Sequence, residues 1–186
     1  MKFAKTSTTA EVVAALRANE IDLAVTLEPD NEVDFEFHSL FTDELVFLVD
    51  PRHPWAGAGR ALRKEIPRQQ YILYFRNSLT FAVIEKYFQA DEVVIKSVID
   101  MGSMSAIKEL VKLGLGITIM APWVAREELR RKELVALPLG RRKLKRKWGV
   151  LHWKGRPFGW AEETFMQLCR SGAKQFAARN GISSHV

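Results

Sequence analysis

The chain has 186 residues, of which 47% are hydrophobic and 27% are charged, and its formal net charge is +6. This length and composition are typical of one globular domain or two small lobes. The sequence has no apolar run of roughly 18 residues, which a membrane span requires, and its first residues lack an export-signal pattern. We therefore expect a cytoplasmic protein without a membrane partner. The single cysteine, Cys169, excludes an internal disulfide.

The first predicted element is a capped helix followed by a strand. Thr8 and Glu11 fit a capping box, in which the hydroxyl accepts a bond from the amide three residues on and the carboxylate reaches back to the cap amide. Asn19 is predicted to end this helix. A buried strand from Asp22 to Leu27 follows.

The middle of the chain alternates extended runs with short helices. The pattern predicts strands at 35–40, 44–49, 71–75 and 93–98, a short basic helix at 61–66, and a helix at 79–89. Asp50 to Pro54 is predicted to form a turn.

The stretch from Ser103 to Pro122 predicts a capped helix that turns sharply into a buried strand. Gly114 can take the left-handed conformation that ends a helix, and Ile117 to Met120 are continuously apolar. After Pro122 the pattern predicts a helix to about 131, strands at 134–137 and 148–153, and a final helix at 159–180. This alternation predicts an α/β fold with a mostly parallel sheet and helices on both of its faces.

Four segments in this order resemble the effector-binding domain of LysR-type transcriptional regulators. They are the first helix and strand, with the pattern L-x-x-x-x-I-D-L-A-V; the strand at 44–49; the His53-Pro54-Trp55-Ala56 stretch; and V-x-x-G-L-G-I-x-I-x-x-P at 111–122. The resemblance extends over roughly residues 3 to 170.

The resemblance implies two Rossmann-like lobes with a central cleft, joined by two crossover strands as in type 2 periplasmic-binding proteins. Lobe I would contain 1–43 and 147–186, and lobe II would contain 44–146. The family's N-terminal helix-turn-helix is absent from this sequence, as are the first strand and helix of the domain, and Lys2 to Lys5 match its next strand. We therefore expect lobe I to be incomplete and to expose a sheet edge or an apolar patch.

Helix N-termini supply the amide donors that a small anionic effector needs, and three predicted helices begin with hydroxyl residues. The resemblance implies effector contacts at Thr9, at the turn that includes Asn77, Ser78 and Thr80, and at Ser103 and Met104. Thr8, at the first helix start, and Thr118, in a buried strand directed towards the hinge region, are further candidates, with a hydrogen bond to the backbone as the alternative for Thr118. Simple helix capping is the alternative interpretation for each hydroxyl. The hypothesis requires the three caps to converge on one cleft.

No metal, cofactor or catalytic site is predicted. His38 and His53 lack a second His, Cys or carboxylate at metal-ligand spacing, and His152 is interpreted as a structural strand residue. The common nucleophile, phosphate-loop and zinc-protease motifs are absent.

The sequence therefore favours a sensor domain that binds a small metabolite and forms a dimer or tetramer. DNA would be bound only through a helix-turn-helix domain that is missing from this chain. A solute-binding protein of a transporter and an enzyme on the same fold are the alternatives.

Overall fold

The computed structural model describes residues 8–30 and 32–185, and the chain divides into two compact units. Unit 1 contains the described residues up to Asp43 and those from Arg146 onwards, and unit 2 contains Glu44–Lys145. The strand predicted at Lys2 to Lys5 lies outside the described residues.

The helices and strands follow one another through both units. The α-helices are α1 (Thr9–Arg17), α2 (Pro54–Ala58), α3 (Leu79–Gln89), α4 (Met104–Lys112), α5 (Arg126–Arg130) and α6 (Trp160–Asn180), with 3-10 helices at Arg63–Arg68 and Pro122–Ala125. The strands are β1 (Leu23–Leu27), β2 (Phe35–Val49), β3 (Gln70–Tyr74), β4 (Ser97–Met101), β5 (Thr118–Met120), β6 (Val135–Pro138), β7 (Leu144–Trp153) and β8 (Ser183–Ser184). Both unit boundaries fall inside strands, β2 and β7. None of the helices in the described residues is long and apolar enough to cross a membrane.

Unit 1 is built on a sheet in which β7 lies between β1 and β2, and β8 pairs with β2. One apolar cluster joins α1 to this sheet through residues such as Leu16 and Leu151. A second cluster joins α6 to the sheet through residues such as Met166 and Val150. Strand β1 pairs only with β7 among the described residues, and Val25 is 46% exposed on it.

Unit 2 contains the parallel pair β3 and β4, with β5 beside β3 and β2 between β5 and β6. An isolated parallel bridge between Tyr71 and Ile117 links β3 to the β5 segment. A large apolar cluster packs α3 and Trp55 against one face of this sheet. On the other face, α4 packs through Ile107 and Val111. The sheet thus has helices on both faces, as predicted.

The prediction of a mostly parallel sheet is wrong for the described residues. The pairs β1/β7, β2/β5, β2/β6 and β2/β8 are antiparallel, and β3/β4 is parallel. The alternation of helices and strands does not specify which strands become neighbours: β2 pairs with β5, β6 and β8, which follow it at long sequence separation. The two runs predicted at 35–40 and 44–49 also form one strand, β2.

Two further elements differ from their predictions because local chemistry overrides the apolar pattern. Val93 was predicted to begin a strand, but its amide donates to the Phe88 carbonyl (2.9 Å) and its side chain packs at the end of α3. Glu92 reverses the chain there with a positive φ of 57°. The predicted helix at 61–66 is instead a 3-10 helix that includes Pro67, which has no amide hydrogen to extend an α-helix.

Candidate functional site

The N-termini of α3 and α4 lie at the same edge of unit 2. Strands β3 and β4 are parallel and in register from Gln70↔Ser97 to Tyr74↔Met101, and each is followed within a few residues by its helix. Because the carboxyl ends of parallel strands meet at one sheet edge, the two helices must begin there together. This edge is where open α/β sheets generally bind ligands.

The loops that follow β3 and β4 contact each other directly. Phe75 packs over Gly102, where a Cβ atom would lie 2.5 Å from the ring Cζ. The backbone amide of Arg76 donates to the Asp100 carboxylate (3.4 Å), and the Arg76 guanidinium donates to the Val98 carbonyl (3.5 Å). Gly102 therefore permits an approach of the two loops that a larger residue would obstruct.

A serine caps each of these helices. Ser78 Oγ accepts a hydrogen bond from the Phe81 amide (3.2 Å), and Ser103 Oγ accepts one from the Ala106 amide (3.3 Å). Neither helix has an acidic residue in its first turn. Since the first amides of a helix lack intrahelical acceptors and the dipole is positive there, both termini favour a negative group. Capping by both serines agrees with the simpler interpretation of these residues.

Three other predicted site residues lie beside the two caps. Asn77 is exposed immediately before Ser78, Thr80 is half-buried in the first turn of α3, and Met104 is the first residue of α4. Met104 is half-buried and packs beside the apolar cluster under α4. The structure thus brings Asn77, Ser78, Thr80, Ser103 and Met104 to one edge of unit 2.

Thr118 lies deeper in unit 2 than the other predicted site residues. It is fully buried on β5 opposite Leu48, and its alternation with Ile117 and Ile119 directs its side chain to the sheet face covered by α4. Its hydroxyl has no hydrogen-bond partner among the described residues. An unpartnered buried hydroxyl lowers the free energy of unfolding, and Thr118 has this cost where β5 packs against α4.

Thr8 and Thr9 lie in unit 1, at the start of α1. The predicted capping box is confirmed: the Glu11 amide donates to Thr8 Oγ1 (3.2 Å), and the Thr8 amide donates to Glu11 Oε2 (3.1 Å). Thr9 Oγ1 accepts a hydrogen bond from Thr26 Oγ1 (3.0 Å). Both threonine hydroxyls are therefore engaged within unit 1, and a carboxylate already occupies this helix terminus.

His38 was expected to have no second potential metal ligand near it, and this prediction is wrong. Its Nε2 atom lies 2.8 Å from Nε2 of His152 and 3.4 Å from Oε1 of Glu36. Burial, and then the nearby His152 ring, hold the pKa of His38 below its ordinary value. The spacing of Glu36 and His38, two residues apart on a predicted strand, was the local signal for part of this cluster. Strand pairing brings in His152, which is 114 residues from His38, so no local spacing indicated the third member.

A buried ion pair in unit 1 was also not predicted. Arg146 donates to both oxygens of Asp43, at 3.0 and 2.6 Å, and the Trp148 indole donates to the same carboxylate at 3.0 Å. Asp43 is 1% exposed and the Arg146 side chain 9%. The bidentate geometry and the burial indicate a structural role in joining β2 to β7.

A cavity of about 560 Å³ opens at the other edge of unit 2, where β3 begins and α4 ends. Its lining includes Asp50, Arg52, Gln69, Gln70 and Gly114. None of the predicted effector-binding residues lines this cavity. We call the shared edge at the N-termini of α3 and α4 the helix-terminus site. Substitutions in the cavity serve as controls for binding at that site.

A family model described as the LysR substrate binding domain matches residues 4–174. The RuBisCO operon transcriptional regulator of Allochromatium vinosum is 24% identical over 170 residues, covering 91% of this chain and 56% of that protein. The HTH-type transcriptional regulator CfxR of Cupriavidus necator is 27% identical over 164 residues, covering 88% and 52%. The chain thus spans about half the length of these curated relatives.

Solved structures show the same fold. The regulatory domain of CcmR from Synechocystis PCC6803, in complex with 2-PG, matches with a TM-score of 0.77 and 24% identity over 90% of this chain and 80% of that one. The effector binding domain of QuiR in complex with shikimate matches with a TM-score of 0.76 and 22% identity, covering 90% and 79%.

Proposed function

The chain belongs to the LysR substrate-binding domain family, and on this premise we propose that it is the effector-sensing and oligomerisation domain of a LysR-type transcriptional regulator. Its effector is a small anionic metabolite. The protein acts as a homo-oligomer, and DNA is bound through a helix-turn-helix domain of the full-length regulator. The relatives named as transcriptional regulators support this assignment.

The observation that carries the proposal is the pair of helix N-termini at one edge of unit 2. Both α3 and α4 begin with a serine cap and lack a first-turn acid, so their dipoles favour an anion at this edge. The Arg76 guanidinium, which lies over the Phe81 ring at 5.6 Å, adds a positive charge nearby. Shikimate is a carboxylate, and the relative that binds it has this fold.

The effector-binding residues in this proposal are assigned unit by unit. They are Thr8 and Thr9 from unit 1, and Asn77, Ser78, Thr80, Ser103, Met104 and Thr118 from unit 2. The effector regulates by binding one arrangement of the domain more tightly than another, and typical coupling free energies are about 1–3 kcal/mol.

The proposal is tested by charge reversal at the α4 terminus. Shikimate, 2-PG and a panel of small carboxylates and phosphates are screened by thermal shift, and the affinity of each hit is measured by calorimetry. Ser103→Asp retains a capping oxygen but places a negative charge at the site, so we expect affinity for an anionic hit to fall by about tenfold or more. Ser103→Asn retains the cap without the charge and is expected to bind within about threefold of wild type.

Gln69→Ala, in the separate cavity, is the control for binding elsewhere in unit 2. A hit whose affinity falls in Gln69→Ala and is unchanged in Ser103→Asp would refute the helix-terminus site. An unchanged affinity in Ser103→Asp and Ser78→Ala would refute the proposed residues of unit 2, and an unchanged affinity in Thr9→Ala would refute the role of Thr9 in unit 1.

A further inference from the structure

Three potential metal ligands lie together in unit 1, and none belongs to the proposed effector site. Glu36 and His38 are two residues apart on β2, so their side chains project from the same face of the sheet. His152 is on β7, the strand next to β2. One ligand atom from each residue can be chosen so that all three atoms lie within 4.8 Å of one another.

The separations are close to those required around one ion. The two Nε2 atoms are 2.8 Å apart, and Nε2 of His38 is 3.4 Å from Oε1 of Glu36. Two imidazole nitrogens that each lie about 2.0–2.1 Å from a tetrahedral ion are separated by about 3.3 Å. The two imidazole nitrogens therefore have to move apart by about half an ångström to admit the ion. The Glu36 ligand atom already lies within 4.8 Å of the other two and would close around it.

The hydrogen bonding of His152 presents the correct nitrogen. Nδ1 of His152 lies 2.9 Å from the backbone oxygen of Trp153, and because a carbonyl oxygen only accepts, Nδ1 carries the hydrogen. The Nε2 lone pair of neutral His152 then points to His38. A bond from the second ring nitrogen to a backbone carbonyl is the usual arrangement that orients a metal-binding histidine.

Without an ion, His38 Nε2–H is the donor between the two rings. An ion takes the place of this shared hydrogen, and the proton of His38 moves to Nδ1 of the same ring through solvent. No oxidant or reductant is involved, because both ligands remain neutral imidazoles.

The surroundings hold the cluster in place. His152 is 3% exposed, and Phe158 packs edge-on against its ring with the centroids 4.5 Å apart. Arg170, on α6, is near enough to oppose a positive charge at His38, but it is exposed and the Glu36 carboxylate acts in the opposite direction. The ligand set is therefore rigid on the His152 side and open to solvent on the Glu36 side.

We propose that Glu36, His38 and His152 bind a divalent transition-metal ion of the zinc class in unit 1. Two imidazoles and a carboxylate suit Zn²⁺, Co²⁺, Ni²⁺ or Cu²⁺, whereas Mg²⁺ and Ca²⁺ prefer ligand sets made of oxygen. Three protein ligands leave a fourth position for water or another donor. The bound ion would clip β2 to β7, the two strands through which the chain passes between its units.

The test is a Zn²⁺ titration of the tag-free, chelator-treated chain by calorimetry. We expect one Zn²⁺ per chain, no heat from Mg²⁺, and visible d–d absorption on addition of Co²⁺. Glu36→Gln, at an exposed position, and His38→Gln each remove a proposed ligand and are expected to weaken Zn²⁺ binding by at least about 10–100-fold, the loss that is typical even for an outer-shell partner. His185→Gln is the matched control, because His185 is exposed and contacts Thr42 rather than the cluster.

Circular dichroism establishes that each variant is folded before titration. The proposal would be overturned if His38→Gln bound Zn²⁺ as tightly as the wild type. It would also be overturned if neither Glu36→Gln nor His38→Gln weakened Zn²⁺ binding. Loss of Zn²⁺ binding in His185→Gln alone would place the ion elsewhere in unit 1. None of these results depends on the identity of the effector, so this proposal and the proposed function can fail separately.

Discussion

Comparable polar groups have different hydrogen-bond partners in the two units. In unit 1 the start of α1 is closed by its own Glu11, whereas neither α3 nor α4 of unit 2 has an acid in its first turn. Each unit also has a buried strand threonine: Thr26 of unit 1 donates to Thr9, and Thr118 of unit 2 lacks a partner among the described residues.

One buried aspartate from each unit, Asp43 and Asp50, differs in the same direction, whereas Asp22 of unit 1 is buried but pairs with Arg156, whose side chain is 37% exposed. Asp43 of unit 1 pairs with a buried arginine, Arg146, whereas Asp50 of unit 2 pairs with Arg52, whose side chain is 79% exposed. Unit 1 therefore uses these polar groups to hold its strands and its first helix, and unit 2 leaves comparable groups open to solvent or unpaired. Among these groups, the starts of α3 and α4 are the ones whose helix dipoles favour an anion.

The largest expected effect comes from removing the buried carboxylate of unit 1. Asp43→Ala leaves Arg146 buried without its bidentate partner and removes the acceptor of the Trp148 indole. Breaking such a pair typically costs about 3–5 kcal/mol, so we expect a loss of this size in the free energy of unfolding. Urea denaturation followed by circular dichroism measures it.

Glu44→Ala is the matched control, one residue along the chain. Glu44 pairs with Lys143 at 2.9 Å in unit 2, but the lysine side chain is 66% exposed, and such pairs contribute about 0–1 kcal/mol. Equal losses in the two variants would contradict the distinction between the units.

The second prediction concerns the two buried threonines. Thr118→Val replaces an unpartnered buried hydroxyl by a methyl group of similar size, so we expect the free energy of unfolding to rise by about 1 kcal/mol. Thr26→Val removes the donor to Thr9 and is expected to lower it by about 1 kcal/mol. Differential scanning calorimetry compares the variants, and a loss of stability in Thr118→Val would mean that its hydroxyl has a partner.

Local chemistry made several features of the fold predictable from sequence. The capping box of Thr8 and Glu11 and the helix at 79–89 depend on residues within one or two turns, and both are confirmed. Gly114 does adopt a left-handed conformation, with a φ of 75°. Apolar periodicity was insufficient where a long-range pairing decides the outcome, as in the antiparallel contacts of β2, and where a local turn overrides it, as at Val93 after α3.

The same distinction applies to the candidate site. Helix caps are visible in sequence because the capping residue precedes its own helix, and Ser78 and Ser103 do cap theirs. The pairing of Asp43 with Arg146 joins residues 103 positions apart, and that of His38 with His152 joins residues 114 apart. No spacing rule links residues so distant, since their proximity depends on which strands become neighbours.

The smallest expected effect concerns Asp50 and its exposed partner in unit 2. Side-chain hydrogen bonds from Arg52 hold the pKa of the Asp50 carboxyl below its ordinary value, and the Arg52 amide adds a further bond. A carboxyl whose folded pKa is lowered contributes stability above its unfolded pKa of about 4, and this contribution is lost as the pH falls through the folded value. Arg52→Ala removes the side-chain bonds, so the variant should be less stable than wild type at about pH 7, and the difference should be smaller at about pH 3, where protonation of the carboxyl has begun. Urea midpoints at the two pH values measure this, with the exposed Arg60→Ala as control. A stability difference that persisted unchanged at the lower pH would mean that Arg52 stabilises unit 2 by packing rather than through the Asp50 charge.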